Sequence, residues 1–282
     1  MTSSINTNPG ALVALQNLTS INSQLEETQR RVSTGLEVSS AADNPAVFAL
    51  AQLQRAELSS VESLQQGLSI GQSTVDVALS AADSVSDILV ELRDVAVQAA
   101  DQSITDETRS ILQERFIALR DQITRTVDSA EVGGVNLLAA GAADLSLVAS
   151  TDGATQISVA AQDLSVGGAN LILSNSGSPL TGADPAASSA LAQTQIAAIE
   201  ASITNVANAS ARLGNGSQAL DLQERLLSRV SDALEVSIGN LVDADLARES
   251  SRLQALQVQQ QLAIQTLSIA NAAPNSILAL FA

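Results

Sequence analysis

Apolar residues recur with heptad spacing along two long stretches of this 282-residue chain. In the first stretch, eleven successive a and d positions carry only Leu, Val, Ala or Gly, and these are Leu64, Leu68, Gly71, Val75, Ala78, Ala82, Val85, Leu89, Leu92, Ala96 and Ala99. In the second, an apolar residue stands at every seventh position, namely Ile199, Val206, Leu213, Leu220, Leu227, Leu234 and Leu241. A heptad stripe is stable in water only when another helix covers it. The two stretches therefore predict the seam of a helical bundle.

Capping residues, glycine and proline mark the helix boundaries. The first helix stops at Gly35, and Asn44-Pro45 is a typical N-cap followed by a first-turn proline. Thr105 is placed to cap a third helix, and Gly214 and Gly216 are candidate interruptions of a fourth. The second helix alone would be roughly 80 Å long at 1.5 Å per residue. We predict helices over about residues 11–33, 45–102, 105–130, 188–240 and 241–273.

The middle of the chain differs from both ends. Residues 132–187 are rich in Gly, Ser, Thr and Asp, and the runs 156–159 and 171–173 predict short strands between turns. We therefore expect a mainly α protein, an elongated antiparallel coiled-coil or helical bundle formed by both chain ends, with a small β-rich central insertion. The predicted divisions are 1–44, 45–131, 132–187, 188–240 and 241–282.

Composition excludes most catalytic chemistry. The chain has no His, Cys, Trp or Tyr, and all 13 of its cations are Arg. The common transition-metal ligands, the base of a serine triad and a cysteine nucleophile are therefore missing. Asp243 and Asp245 stand without such partners, so we interpret them as helix-capping or junction residues. We expect no enzyme activity and no cofactor or metal.

Net charge and hydropathy limit the classes of partner that the chain can bind. The net charge of −17 argues against nucleic acid as a partner, because no basic stripe is present to neutralise phosphates. The N-terminus has no cation before Arg30, unlike a Sec-type signal peptide. No uninterrupted apolar run of about 18 residues is present, so we expect no membrane insertion.

The two ends carry more apolar surface than a single pair of helices can bury. The last helix has one apolar stripe around Leu256 and a second around Val258. An uncovered stripe of this extent is typical of an intermolecular contact. We therefore predict assembly through both ends, with the contact residues Leu12, Leu15, Leu18, Ile21, Leu25, Val32, Leu253, Leu256, Val258, Leu262, Leu267, Ile269, Leu278, Leu280 and Phe281.

Several motifs at both ends resemble bacterial flagellin. They are residues 5–8, 14–18, 31–44, 92–99, 240–250 and 267–271, in the order found in that family. The resemblance implies an extracellular filament subunit for swimming motility, exported by the flagellar type III apparatus. It implies terminal helices in an inner tube, with the long helices around them and the middle segment outside. The implied partners are other copies of the chain, the filament cap, hook–filament junction proteins and an export chaperone.

The resemblance also assigns residues in the second helix. The motif in residues 92–99 implies that Glu91, Arg93, Asp94 and Gln98 face neighbouring subunits. Asp83 and Asp87 extend it into an acidic stripe, which we interpret as solvated or subunit-facing rather than as a cation site. Flagellins recognised by the mammalian innate-immune receptor carry Arg where Glu91 stands, so we expect weak activation of that receptor.

The hydroxyl-rich middle region resembles the outer part of flagellins, which is often O-glycosylated. The alternative is an ordinary polar loop region. The candidate acceptors are Ser146, Ser150, Thr151, Thr155, Ser174, Ser176 and Thr181.

Two further functions compete with a filament subunit. The hook–filament junction protein is homologous to flagellin at both ends and does not propagate itself. A non-flagellar coiled-coil binding module would form a soluble oligomer of fixed size.

Overall fold

The computed structural model describes the backbone of residues 7–175 and 177–278. Five helices are present in these residues, α1 (Pro9–Thr34), α2 (Pro45–Ala99), α3 (Asp106–Asp128), α4 (Pro185–Val242) and α5 (Leu246–Leu278). The chain divides into two compact units. The terminal unit contains the described residues up to Leu58 and from Asp232 onwards, and the central unit runs from Ser59 to Ser231. No helix of the described residues is both long enough and apolar enough to cross a bilayer.

The predicted caps are confirmed. Asn44 Oδ1 accepts a hydrogen bond from Val47 N at 3.2 Å, and Thr105 Oγ1 accepts one from Thr108 N at 3.2 Å. Gly35 ends α1 in the left-handed conformation with φ of 74°, which glycine adopts without steric cost. The helix begins slightly earlier than predicted, because Asn8 caps it and Pro9 occupies its first position.

Helices α2 and α4 run antiparallel in the central unit. Gln72 Nε2 donates to Ser217 Oγ at 2.7 Å, and Ser189 Oγ donates to the Ala100 carbonyl at 2.7 Å. The same number of residues separates these two contacts on each helix, so the register is constant. Most of the apolar residues of the predicted seam are buried in the structure. Those that are buried are Leu68, Val75, Val85, Leu89, Leu92, Leu213, Leu220 and Leu227, whereas Leu64 and Leu234 are half-buried.

An arginine of α3 caps the C-terminal end of α2. Arg109 is only 1% exposed, and its guanidinium donates to the carbonyls of Ala99 and Asp101. The last carbonyls of a helix lack partners within the helix and carry partial negative charge. A buried cation is stable here because those carbonyls face it.

Two short hairpins follow α3. Strands β1 (Glu131–Val132) and β2 (Val135–Asn136) pair antiparallel, as do β3 (Leu145–Val148) and β4 (Gln156–Val159). The predicted strand over residues 156–159 is thus confirmed. The predicted strand over 171–173 is wrong, because no strand of the described residues pairs with this segment and its Ile172 N–H donates instead to Ser202 Oγ at 3.0 Å.

The β3–β4 hairpin packs on α2 and α4 at two glycines. A Cβ added at Gly71 would overlap the Leu147 side chain, and one added at Gly216 would lie 2.6 Å from Val159 Cγ1. Gln223 Nε2 also donates to the Ala149 carbonyl at 2.6 Å. Gly216 therefore does not interrupt α4, which is continuous, but leaves room for a strand to approach its backbone.

Candidate assembly surface

Helices α1 and α5 pack along each other in the terminal unit. Hydrogen bonds join them at two levels, from Asn8 Nδ2 to the Ala270 carbonyl at 2.7 Å and from Gln260 Nε2 to Asn22 Oδ1 at 2.8 Å. Residue numbers fall along α5 as they rise along α1, so the pair is antiparallel. The start of α1 therefore lies beside the C-terminal part of α5.

One apolar stripe on each helix faces the other. Ala14 of α1 and Leu256 of α5 are buried. Their neighbours in the same stripes are half-buried, and these are Leu18, Ile21, Leu25 and Val32 of α1 with Leu253, Ala263, Leu267 and Ala270 of α5. Each helix thus covers part of the other, as two isolated amphipathic helices in water require.

A second apolar surface of the pair remains exposed. On α5, Val258, Leu262 and Ile269 are all more than half exposed, and Ile269 is 72% exposed. On α1, Leu12 and Leu15 are at least half exposed. The sequence interpretation omitted Val13 and Ile264, which are similarly exposed. The exposure of Val13 could have been predicted from the sequence, because residues Ala11–Leu15 are all apolar and one partner helix cannot cover every side of this turn.

The exposed residues of α1 and α5 are called the outer stripe below, and they are Leu12, Val13, Leu15, Val258, Leu262, Ile264 and Ile269. The side chains of Leu278, Leu280 and Phe281, which the sequence also assigned to assembly, lie outside the described residues.

A compact joint connects α1, α4 and α5. Glu37 N donates to the Val242 carbonyl at 2.6 Å, and Ala244 N donates to the Gly35 carbonyl at 2.9 Å. Asp245 Oδ1 accepts from the backbone N–H groups of Ala247 and Arg248, each at 3.1 Å, so Asp245 caps α5 as interpreted from the sequence. A small apolar cluster lies under the joint and contains Val38, Ala51, Ile238 and Val242.

The loop between α1 and α2 is organised by one carboxylate. Asp43 Oδ2 accepts hydrogen bonds from the backbone and hydroxyl groups of both Ser39 and Ser40, at 2.9–3.1 Å. The Ser39 hydroxyl is the largest cause that lowers the pKa of Asp43 below its ordinary value of 3.8, because it stabilises the charged form. The loop therefore keeps this charge under any condition near neutral pH.

An ion pair joins α1 to α5 beside the joint, and heptad periodicity gave no signal for it. Arg31 Nη1 lies 3.6 Å from Glu249 Oε1, while Arg31 Nη2 lies 2.7 Å from Glu27 Oε1. Glu249 is 7% exposed, and its Oε2 has no hydrogen-bond partner among the described residues. A partly desolvated pair of this kind is weak evidence for stability, because the desolvation of the two charges opposes their attraction.

The four residues of α2 that were expected to face neighbouring subunits lie on its solvent-exposed side. Glu91, Arg93, Asp94 and Gln98 are all exposed. Asp83, Asp87, Glu91 and Asp94 take part in no ion pair within the part of the chain that the structure describes. In that same part, no cluster of three or more His, Cys, Asp or Glu residues could hold a metal ion.

The hydroxyl groups of the middle region differ in availability. Ser146 Oγ donates to Gln156, Ser150 Oγ to Asp152, and Thr181 Oγ1 to Gln113. Ser174 also has an interaction partner. Thr151 and Thr155 are exposed, and among the described residues their hydroxyls make no hydrogen bond. Ser176 lies outside the described residues.

Two family descriptions match this chain. Residues 5–143 match the bacterial flagellin N-terminal helical region, and residues 196–281 match the bacterial flagellin C-terminal helical region. The chain is 41% identical to flagellin FljM of Caulobacter vibrioides over 278 residues, which cover 99% of this chain and 98% of that protein. It is 34% identical to a flagellin of Brucella melitensis over 284 residues, with 99% of each chain covered.

Similarity to solved structures concerns the fold alone. A structure assigned to a flagellar hook-associated protein of Vibrio parahaemolyticus matches with a TM-score of 0.58 and 19% identity. The match covers 71% of this chain and all of the other.

Proposed function

Because the chain belongs to the bacterial flagellin family, it is a structural subunit of the extracellular flagellar filament, and we propose that copies join chiefly through the outer stripe of α1 and α5. The single observation that carries this proposal is the apolar surface left on the pair after the two helices have packed on each other. An exposed apolar surface of this kind is typical of a contact between molecules.

Burial of the outer stripe between two subunits would contribute a substantial free energy of association. Covering the exposed half of one large apolar side chain contributes about 1 kcal/mol, since complete burial contributes about 1.5–3 kcal/mol. Seven such side chains offset a substantial part of the ~4–15 kcal/mol that association costs in lost freedom. Further contacts elsewhere on the subunit would supply the remainder.

We place the other parts of the chain around this contact. Residues 1–44 and 241–282 would form the inner core and its connection, and residues 45–131 and 188–240 a surrounding bundle layer. Residues 132–187 would lie at the outer surface. Export by the flagellar type III apparatus, and contacts with the cap, junction proteins and chaperone, are proposed from family membership.

Substitutions on the outer stripe test the proposal. The double variant Leu262→Gln/Ile269→Gln should remain helical but form few or no filaments, because it places polar groups where a neighbour must bury apolar ones. Electron microscopy and sedimentation of polymer would measure this. The matched control is Ile111→Gln, an exposed apolar residue of α3 that is not part of the stripe, and it should polymerise like the parent.

Filaments of normal yield from the double variant would contradict the proposed contact. Seeded growth of the parent into long filaments would in addition separate a filament subunit from a junction protein, which does not propagate. A soluble oligomer of fixed size would contradict a contact that extends into a polymer.

We further propose that the middle region is O-glycosylated, first at Thr151 and Thr155, whose hydroxyls are exposed and make no protein hydrogen bond in the described part of the chain. Protein isolated from its own cells should then exceed the unmodified mass of 28.9 kDa. Intact-mass spectrometry of the parent and of Thr151→Ala/Thr155→Ala would check this. A single species at 28.9 kDa would remove the hypothesis.

A further inference from the structure

The last proline of the chain lies inside a helix. Three of the five prolines begin helices α1, α2 and α4, where a missing N–H has no helical partner in any case. Pro274, by contrast, lies within α5, which continues to Leu278. A proline in a helix interior removes the hydrogen bond to the carbonyl four residues earlier. In α5, the carbonyl that loses its N–H donor in this way belongs to Ala270.

The side chain of Asn8 supplies a donor to this carbonyl from the other end of the chain. Asn8 Nδ2 donates to the Ala270 carbonyl at 2.7 Å. Its Oδ1 accepts from Ala11 N at 3.2 Å and so caps the first turn of α1. The two partners together fix the orientation of the amide, because one of them needs a donor and the other an acceptor. One side chain thus serves a free N–H of α1 and a carbonyl of α5 that lacks its helical donor.

The chemistry of this site specifies asparagine. Residues 1–25 and 253–282 contain no Asp, Glu, Lys or Arg, although the chain as a whole has a net charge of −17. Asn8 and Ala270 are both half-buried, and a carbonyl removed from water without a partner lowers stability. Among the usual N-cap residues, Asp has no N–H to donate, and Ser and Thr have shorter side chains. Asn combines the cap with a donor that reaches a second helix.

We propose that Asn8 is a positioning residue, which holds the start of α1 on α5 by replacing the hydrogen bond that Pro274 removes. We call the hydrogen bond from Asn8 to Ala270 the clasp. The backbone bond from Ala244 to Gly35 joins the helix pair at the joint, and the clasp joins it near the opposite end. The two contacts together set the position of α1 along α5.

The clasp matters for assembly because the outer stripe is made by two helices. Leu12 and Leu15 come from α1, whereas Ile264 and Ile269 come from α5. A shift of one helix along the other would separate these residues and change the surface that a neighbour must cover. This consequence rests on the proposed assembly function, whereas the clasp itself does not.

The substitution Asn8→Asp separates the clasp from simple capping. Asp caps a helix as well as Asn does, but it has no N–H for the Ala270 carbonyl. The variant should raise the protein concentration needed for seeded polymerisation at least about fivefold, because one half-buried hydrogen bond is lost. Asn8→Ser keeps a cap without adding charge and should have the same effect. If Asn8 were only a cap, both variants would polymerise like the parent.

The substitution Pro274→Ala provides the background in which the clasp is no longer needed. It restores an N–H for the Ala270 carbonyl within α5 itself. In this background, Asn8→Asp should change the concentration needed for polymerisation by less than about twofold. A double-mutant cycle over the four chains measures the coupling between the two residues. The same loss in both backgrounds would reject the clasp.

The substitution Asn17→Asp is the matched control for charge. Asn17 is exposed on α1, in the same uncharged segment, and it makes no hydrogen bond among the described residues. The variant makes the same change of side chain as Asn8→Asp and should polymerise within about twofold of the parent. A defect equal to that of Asn8→Asp would assign the effect to charge and overturn the inference.

Hydrogen exchange tests the clasp independently of polymerisation. In the soluble full-length chain, Asn8→Asp should speed amide exchange in the first turns of α1 at least about fivefold, but not when Pro274→Ala is also present. The comparison decides the question even if Pro274→Ala does not polymerise. If the parent forms no polymer, the proposed function fails, while exchange still tests the clasp. Equal exchange in the parent and in Asn8→Asp would reject the clasp even where filaments form normally.

Discussion

A chain that lacks residues 245–282 should remain soluble and form no filaments at concentrations where the full chain polymerises. The deletion removes α5 and with it Val258, Leu262, Ile264 and Ile269 of the outer stripe. It also uncovers the apolar side of α1 that packs against α5 in the intact chain, which includes Ala14, Leu18 and Ile21. Electron microscopy and analytical ultracentrifugation of both chains would measure the difference.

The truncation should lower the helix content by more than the number of helical residues that it deletes. Helix α1 has 26 residues and α5 has 33. Most of the stability of a helix in a protein comes from packing of its apolar face, which α1 would lose without α5. Circular dichroism should therefore show that α1 unfolds as well, while the central unit keeps its own thermal transition. Filaments of normal length from the truncated chain would overturn the assignment of assembly to the terminal helices.

Alanine at Gly216 should destabilise the central unit, whereas alanine at Gly214 should stabilise it. Both glycines lie in α4, where replacing glycine by alanine contributes about 0.5–1 kcal/mol through helix propensity. A Cβ at Gly214 meets nothing within 4 Å, but one at Gly216 would lie 2.6 and 2.9 Å from the two methyl groups of Val159. Val159 is buried and β-branched, so it has few other rotamers.

The expected difference between the two variants is large enough to measure by thermal unfolding. Overpacking of this kind costs about 1–3 kcal/mol, which exceeds the gain in helix propensity. Each kcal/mol shifts the Tm of a unit of this size by roughly 2–4 °C. The Tm should thus fall for Gly216→Ala and rise for Gly214→Ala. Equal shifts in both variants would show that the hairpin does not depend on Gly216.

A second pair of glycines in α2 provides an independent comparison. Gly67 has open space around it, whereas a Cβ at Gly71 would overlap Leu147. Leu147 is half-buried and its side chain is flexible, so it can yield more readily than Val159. Gly71→Ala should therefore lose less stability than Gly216→Ala, and Gly67→Ala should gain. Reversal of this order would contradict packing of the hairpin through glycine contacts.

Local chemistry made several elements predictable from the sequence. Caps such as Asn44 and Thr105 act on backbone groups within three residues, and Gly35 ends α1 through its own φ angle. Heptad spacing likewise depends only on the rise and twist of one helix. The number of helices and their approximate ends follow from these short-range effects. The family followed from motif resemblance.

Elements that depend on distant partners were not predictable. The run 171–173 has the alternation of a strand, and Leu171 and Leu173 are indeed buried, yet no strand in the described part of the chain pairs with it. Gly216 appeared to be a possible interruption of α4 because nothing in its own neighbourhood indicates Val159. The Arg31–Glu249 pair joins residues at opposite ends of the chain.

The sequence by itself determined that the terminal segments are helical. It also determined that they carry more apolar surface than one pair of helices can bury. Both follow from composition and periodicity, which are properties of each segment alone. Tertiary structure decided which surface is left over. The stripe of Leu256 packs against α1, whereas Val258, Leu262 and Ile269 remain exposed. That choice depends on the rotation of α5 about its axis, which is set by contacts that only the folded chain brings together, such as Asn8 with Ala270 and Gly35 with Ala244.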